Sequence, residues 1–325
     1  MTRIHSTSSL LSRASAVLLL GACRPAAVPV PAATAAAASS SAPRSQNPSP
    51  MVERTRRHER LATIPPAGLT FTIDSVLPRA VDVLVPDHPG AGSGLTDERT
   101  LLVHLFGASY VPMRGAVAAG GDYVVAVVNL GGGSSSYERP FADPAVFARL
   151  VRRIREETAR RTASRVQLRS VTVSAFSAGY GGVRALLSDD ATASTIDAVL
   201  LLDGLHANYI PERTVIADGG VLDTAKLLPF LRYARQAAGG EHRMLITHSE
   251  IFPGTFASTT ETTDWMIAGL GTARAPVVAW GPGGMQQLSE LRRGGLEILG
   301  FAGNTGPDHI DHLHGIGAFL QRLTR

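Results

Sequence analysis

The chain is poor in residues that would mark several common protein classes. Its single cysteine, Cys23, excludes any disulfide within the chain. Lysine is nearly missing: Lys226 stands alone among 31 basic residues, a matter of composition rather than function. Charged side chains make up only 18% of the sequence, and their distribution decides more than their sum. Residues 1–60 hold eight arginines against Glu53 and Glu59, so the remaining 265 residues sit near −2. The pI of about 9.6 therefore belongs to the N-terminal segment and gives no ground for a nucleic-acid-binding domain. No internal repeat is visible. The apolar run near the N-terminus, residues 14–20, is too short to span a bilayer.

What is present is apolar bulk. Hydrophobic residues make up 44% of 325, enough for one core of ~250 residues or for two small domains. A front segment of different character precedes it. Arg3 and Arg13 come before the short apolar run, which ends Gly21-Ala22-Cys23, the pattern of an export signal. Leu20-Gly21-Ala22-Cys23 resembles a bacterial lipobox. That resemblance implies a lipoprotein signal peptide over 1–23, with Cys23 diacylated and the chain held to a membrane from outside the cytoplasm. The alternative is a cleaved secretory signal with an incidental Cys23 and a secreted protein. Residues 24–60 are rich in Ala, Pro and Ser up to residue 50 and basic from 51 to 60. With almost nothing to bury, this stretch cannot offset its ordering entropy and reads as a disordered tether. Its basic run is expected to be solvated, with attraction to anionic lipid head groups as the lesser alternative.

From residue 61 the pattern turns to alternating strands and helices. Residues 71–73 and 81–85 read as opening strands. Runs 100–106 and 123–130 are apolar on both faces, as strands covered by helices on both sides must be. Asp143-Pro144 opens a helix, with Asp143 as cap and Pro144 in the first turn, and Phe147, Leu150, Val151 and Ile154 share one face. Strands are expected at 198–202, 243–247 and 296–301, and helices near 224–235, 261–270 and 310–323. With no second break in composition, 61–325 reads as one α/β domain, a mostly parallel central sheet with helices on both faces.

The stretch Ala175-Phe176-Ser177-Ala178-Gly179 follows a β-branched strand and leads into a helix through Val183, Leu186 and Leu187. A serine on such a turn needs small neighbours two residues to either side, because strand and helix backbones nearly touch there. Ala175 and Gly179 supply them. This stretch resembles the nucleophile elbow of the α/β-hydrolase fold, usually G-x-S-x-G, with Ala175 replacing the first glycine. The resemblance extends over 65–325, through the apolar strand ending His104-Leu105-Phe106-Gly107 and the histidines after the last strand.

The family order of serine, acid and histidine implies roles for particular residues. Ser177 would be the nucleophile. The base would be His309, which follows Pro307-Asp308 at the start of the closing helix, or His312 one turn on. The acid would be Asp203, at the end of strand 198–202, or Glu250, after strand 243–247; turn formation is the plain alternative for Asp203. The oxyanion hole would use the N–H of Ala178 and a second N–H near Phe106–Ala108, with Gly107 permitting close approach. His309, Asp311, His312 and His314 wrap around one helix turn without a second cluster, so no metal is expected. The loop from Asn129 to Tyr137 lacks the Lys-Ser/Thr of a phosphate loop and reads as a substrate rim. The resemblance thus implies a cofactor-free serine hydrolase acting on a small-molecule ester or acyl substrate. A peptidase or amidase on the same fold, or an inactive envelope binding protein, are the rivals.

Overall fold

β-branched and leucine-rich runs build the centre of the molecule. The computed structural model describes residues 66–87, 97–120 and 122–324. The expected signal peptide 1–23 with Cys23, the tether 24–60 and residues 61–65 lie outside the described residues. The strands β1 (Gly68–Ile73) and β2 (Val81–Pro86) open as an antiparallel pair. β3 (Asp97–Leu105), α1 (Tyr110–Ala118), β4 (Tyr123–Val128), α2 (Ser135–Phe141) and α3 (Pro144–Arg161) lead to β5 (Val166–Phe176). After it come α4 (Tyr180–Ser188), α5 (Asp190–Ala193), β6 (Ala198–Leu202) and a small hairpin of β7 (Tyr209–Ile210) and β8 (Val221–Leu222). Then follow α6 (Leu228–Gly239), β9 (Arg243–His248) and α7 (Thr259–Gly269). β10 (Ala275–Trp280), β11 (Gln286–Arg293), β12 (Leu296–Phe301), α8 (Gly306–His314) and α9 (Ile316–Leu323) close the chain.

Ten strands form one sheet in the order β1-β2-β4-β3-β5-β6-β9-β12-β11-β10. The six from β4 to β12 run parallel, and the two strands at each edge are antiparallel to their inner neighbours. Side chains alternate across this sheet with period two. Leu101, Val103 and Leu105 of β3 join a core with Phe147, Leu150, Val183 and Phe230. Leu102 of the same strand joins the opposite core with Met113, Phe319 and Leu320. Helices thus cover both faces of a mostly parallel sheet, the α/β-hydrolase architecture. The parallel strands deliver their carboxyl ends, and the loops that follow, to one edge.

Local chemistry accounts for the element ends. Asp143 accepts from the Ala145 N–H and Pro144 occupies the first turn of α3, as the sequence indicates. The closing helix differs from expectation: it starts earlier, at Gly306, and breaks at Gly315 into α8 and α9. β10 and β11 are not apparent in the sequence. β10 is exposed at almost every position, with Val278 83% and Trp280 77% accessible, so it lacks the buried alternation that marks a strand.

Candidate active site

β5 ends on Ala175 and Phe176, both buried, and the chain then turns sharply at Ser177 with φ of +45°. A Cβ at residue 179 would collide with the Leu105 carbonyl, so a glycine is needed for the start of α4 to abut the end of β3. On the other side, a Cβ at residue 204 would lie 2.8 Å from the Ser177 carbonyl oxygen and 2.9 Å from its nitrogen. The turn at Ser177 is therefore pressed between the ends of β3 and β6. Phe106 (φ +72°) and Asp203 (φ +42°), which immediately follow those two strands, are left-handed too. Such residues cost on the order of 1–3 kcal/mol each and persist where the surroundings over-determine them. Backbone strain thus collects on three adjacent strand ends.

Asp203 is buried and every lone-pair direction of its carboxylate is used. Oδ1 accepts from the Ser249 N–H at 2.9 Å and the Thr259 hydroxyl at 2.6 Å. Oδ2 accepts from the Ser249 hydroxyl at 2.7 Å and from His309 Nδ1 at 2.7 Å. Burial would raise its pKa, but the neighbouring His312 and His309 rings and the Thr259 hydroxyl outweigh it and hold the carboxyl well below the ordinary range. An ionised Asp203 can only accept, so Nδ1 of His309 donates to it and Nε2 is the ring nitrogen not engaged by the carboxylate. His309 is set by its helix start: Thr305 and Asp308 form a capping box, and Asp308 also takes the Asn304 N–H. The His309 ring lies 4.5 Å, centroid to centroid, from the ring of Phe176, the residue before Ser177. Asp203, His309 and the Ser177 turn are thereby brought together.

The other candidates are spent elsewhere. His312 is buried one turn further along α8, with Nδ1 2.8 Å from the Thr247 hydroxyl and its ring edge-on to Phe301. Burial lowers its pKa against the pull of Asp203. Glu250 is exposed; it accepts from the Gly303 N–H at 3.3 Å and makes no contact with His309. His248 accepts on Nε2 from Arg274 at 2.8 Å, and burial followed by Arg274 lowers its pKa to about 4. His206 donates from Nδ1 to the Ala257 carbonyl and lies edge-on to Tyr180 and Phe256. Of these buried histidines, His309 is the one bonded to a carboxylate among the described residues.

Ala178 begins the turn into α4, where backbone N–H groups lack an intrahelical acceptor. Across from it, the Phe106 N–H goes to the Val128 carbonyl and the Gly107 N–H goes to the Asn129 side chain at 3.1 Å. That leaves Ala108 as the donor in this stretch not taken up by a described residue. Two side chains hold the turn. His104 bonds the Phe106 carbonyl at 2.8 Å through Nε2 and Ser174 through Nδ1, and burial lowers its pKa to about 4. Asn129 bridges Gly107 and Ser109. Beyond it, Gly131, Gly132 and Gly133 face open space.

Asn129, Thr247, Ser249 and Thr259 carry much of this geometry and did not stand out in the sequence. The first three follow or end apolar strands, which was the available signal. Thr259 begins α7, 56 residues after Asp203, and nothing local announces it.

No family model matches the chain, and no curated protein matches it. Among solved structures, Est1E from Butyrivibrio proteoclasticus is similar with a TM-score of 0.39 and 10% identity, over 79% of this chain and 99% of that one. A thermophilic esterase from the Planctomycetes species Thermogutta terrifontis, Est2 with propionate bound, gives 0.42 and 15%, over 78% and 94%. A Mycobacterium tuberculosis puromycin-hydrolyzing peptidase gives 0.40 and 13%, over 76% and 38%.

Proposed function

We propose that the protein is a serine hydrolase of carboxylic esters. The observation that carries this reading is the buried His309–Asp203 pair set against the strained turn that presents Ser177. Ser177 Oγ attacks the ester carbonyl while His309 Nε2 takes its proton, and Asp203 steadies the imidazolium. The N–H groups of Ala178 and Ala108 hold the oxyanion. Collapse of the intermediate breaks the C–O bond, and His309 returns the proton to the departing alcohol. Water then releases the acid from Ser177 by the same route in reverse. No step calls for a cofactor. The segment between β6 and α6 forms a small hairpin and two short 3-10 turns, Ile216–Asp218 and Thr224–Lys226, before α6 packs on α4 and β9, which favours an accessible site for small esters over a long-chain lipase.

Fluorophosphonate labelling tests the nucleophile. Ser177→Ala should abolish the label and cut turnover of activated esters by ~10³ or more. His309→Ala should match that loss without adding to it in the double variant, because the two act as a unit. His312→Ala should cost far less, and the reverse pattern would make His312 the base. Labelling of a folded Ser177→Ala protein would sink the assignment. A panel of matched esters and amides distinguishes the peptidase reading by which series is turned over.

We also propose that the protein is lipid-anchored at Cys23 on the outer side of a bacterial cytoplasmic barrier; the support is the Leu20–Cys23 pattern and the tether that follows. Labelled fatty acid should be incorporated in the intact chain and not in Cys23→Ala. Labelling that survives the substitution would sink the lipobox assignment, and an intact chain that takes no label would leave the secreted alternative.

A further inference from the structure

Two cavities flank α3, and neither includes a residue of the candidate active site. One, of about 510 Å³, lies between the α3 arginines and the turn after β1. Its wall carries Arg149, Arg152, Arg153, Arg160 and Arg161 against two carboxylates, Asp74 and Glu157. The other, of about 690 Å³, lies between α3 and α5; Phe147, Ala148, Val151 and Val171 are among its lining residues, together with Arg155, Glu156 and Asp189. Arg152 borders both. Volumes of this size are typical of small-molecule sites, roughly 300–1,000 Å³.

The basic cavity is short of counter-charge. Arg160 and Arg161 share the carboxylate of Glu157, at 2.6 and 3.2 Å, and Arg153 lies 3.3 Å from Glu156 and 3.8 Å from Glu157. Arg152 is 3.7 Å from Glu156, and Arg149 is 3.8 Å from Asp143. The side chains of Arg149, Arg152, Arg153 and Arg160 are 45–64% accessible, so these pairs are weakly held and the guanidinium groups can turn to another anion. Helix α3 carries six arginines against two glutamates, in a region of the chain, 61–325, whose formal charge is negative. That concentration on one helix is specific to this face.

A free phosphate would need only the basic cavity, and an uncharged apolar ligand only the other. Their meeting at Arg152 fits an amphiphile that is anionic at one end and apolar at the other. We propose that α3 binds an anionic phospholipid, with the phosphate among Arg149, Arg152, Arg153 and Arg160 and an acyl chain in the groove over Phe147 and Val151. Guanidinium groups pair with phosphate through charge-assisted, often bidentate hydrogen bonds. The site is independent of the hydrolase reading and of Cys23.

The test uses the full chain carrying Cys23→Ala and Ser177→Ala, which removes the anchor and hydrolysis of the probe. Dihexanoyl phosphatidylglycerol, below its micelle concentration, is titrated by calorimetry. Glycerol 3-phosphate supplies the head without tails, and dihexanoyl phosphatidylcholine supplies a neutral head with the same tails. We expect saturable binding of the phosphatidylglycerol, at least ~10-fold tighter than either comparison. Replacing Arg149, Arg152, Arg153 and Arg160 by Gln should weaken it roughly 10- to 100-fold. Ala148→Trp, an exposed position that fills the groove, should bring the phosphatidylglycerol down to the level of glycerol 3-phosphate; it serves also if the quadruple variant fails to fold. Equal affinity for glycerol 3-phosphate would make this a free-phosphate site and overturn the proposal. Equal affinity for the phosphatidylcholine, or full affinity in folded variants of both kinds, would overturn it as well.

Discussion

The ends of β6 and β9 lie side by side in the sheet, and each is followed by a carboxylate, yet the two are in opposite circumstances. Asp203, after β6, is 2% accessible, accepts four hydrogen bonds and touches His309. Glu250, after β9, is exposed and reaches only the Gly303 backbone. The residue at the end of β9 that does enter the site is Ser249, and it enters as a donor to Asp203 rather than as an acid. Position at a strand end does not make an orienting acid. A desolvated carboxylate with enough donors to stay charged does, and here the second strand supplies donors to the first.

The comparison is broken most severely by Asp203→Asn. Losing the acceptor on His309 Nδ1 should favour the wrong tautomer and lower kcat by about 10³–10⁴. Glu250→Gln measured alongside should stay within about 2-fold. If Asp203→Asn keeps full activity in a folded protein and Glu250→Gln does not, the roles are exchanged.

Acid titration sharpens the contrast next. His104 and His248 have pKa values lowered to about 4 by burial. Their unfolded forms protonate near 6.5, so the unfolded state binds more protons below that pH. Stability should therefore fall as pH drops from 6.5 toward 4, on the order of 3 kcal/mol for each histidine, and be flat above 6.5 as far as these groups go. Asp203 is depressed, so its contribution is fully present above the ordinary carboxylate range near 4 and is lost only as pH falls through its lower folded value. Thermal melts from pH 8 to 4 should show the histidine slope in wild type and in Glu250→Gln alike. A flat profile would mean that these rings are not buried neutral.

The smallest expected effect is at the donors. Ser249→Ala removes one of the four bonds to Asp203 and should cost ~1–3 kcal/mol of stability, with a modest loss of kcat. Chemical denaturation and steady-state kinetics on the same preparation measure both. No change in either would show that the Ser249 hydroxyl is dispensable to the acid.

Much of the architecture was legible because it follows from periodicity and turn chemistry. The parallel strands are apolar on both faces, α3 announces its cap and its face, and small residues flank Ser177. The site was legible as residue types but not as partnerships. Choosing between His309 and His312 needs the start of α8, which a capping box at Thr305 places earlier than the apolar face alone suggests. Choosing between Asp203 and Glu250 needs burial and donors drawn from β9 and α7, tens of residues away. β10 escaped notice because an exposed edge strand has no buried alternation to read. The turn after β3 shows the same limit: Gly107 permits it, but its N–H is taken by Asn129, the residue after β4.

Because no side chain fits between residue 204 and the Ser177 backbone, the Ser177 turn and the Asp203 turn form one mechanical piece. In a saturation library, position 204 should be nearly silent of survivors: even alanine would push both turns apart at once. Gly131, Gly132 and Gly133 meet nothing within 4 Å, but φ of +108° at Gly131 and +88° at Gly133 favours glycine there, so Gly132 is the position of the three that should admit side chains most readily. Diversity is thus channelled. Lineages of this protein can vary position 132 while the two packed turns are inherited together, so change at the strand ends has to be concerted.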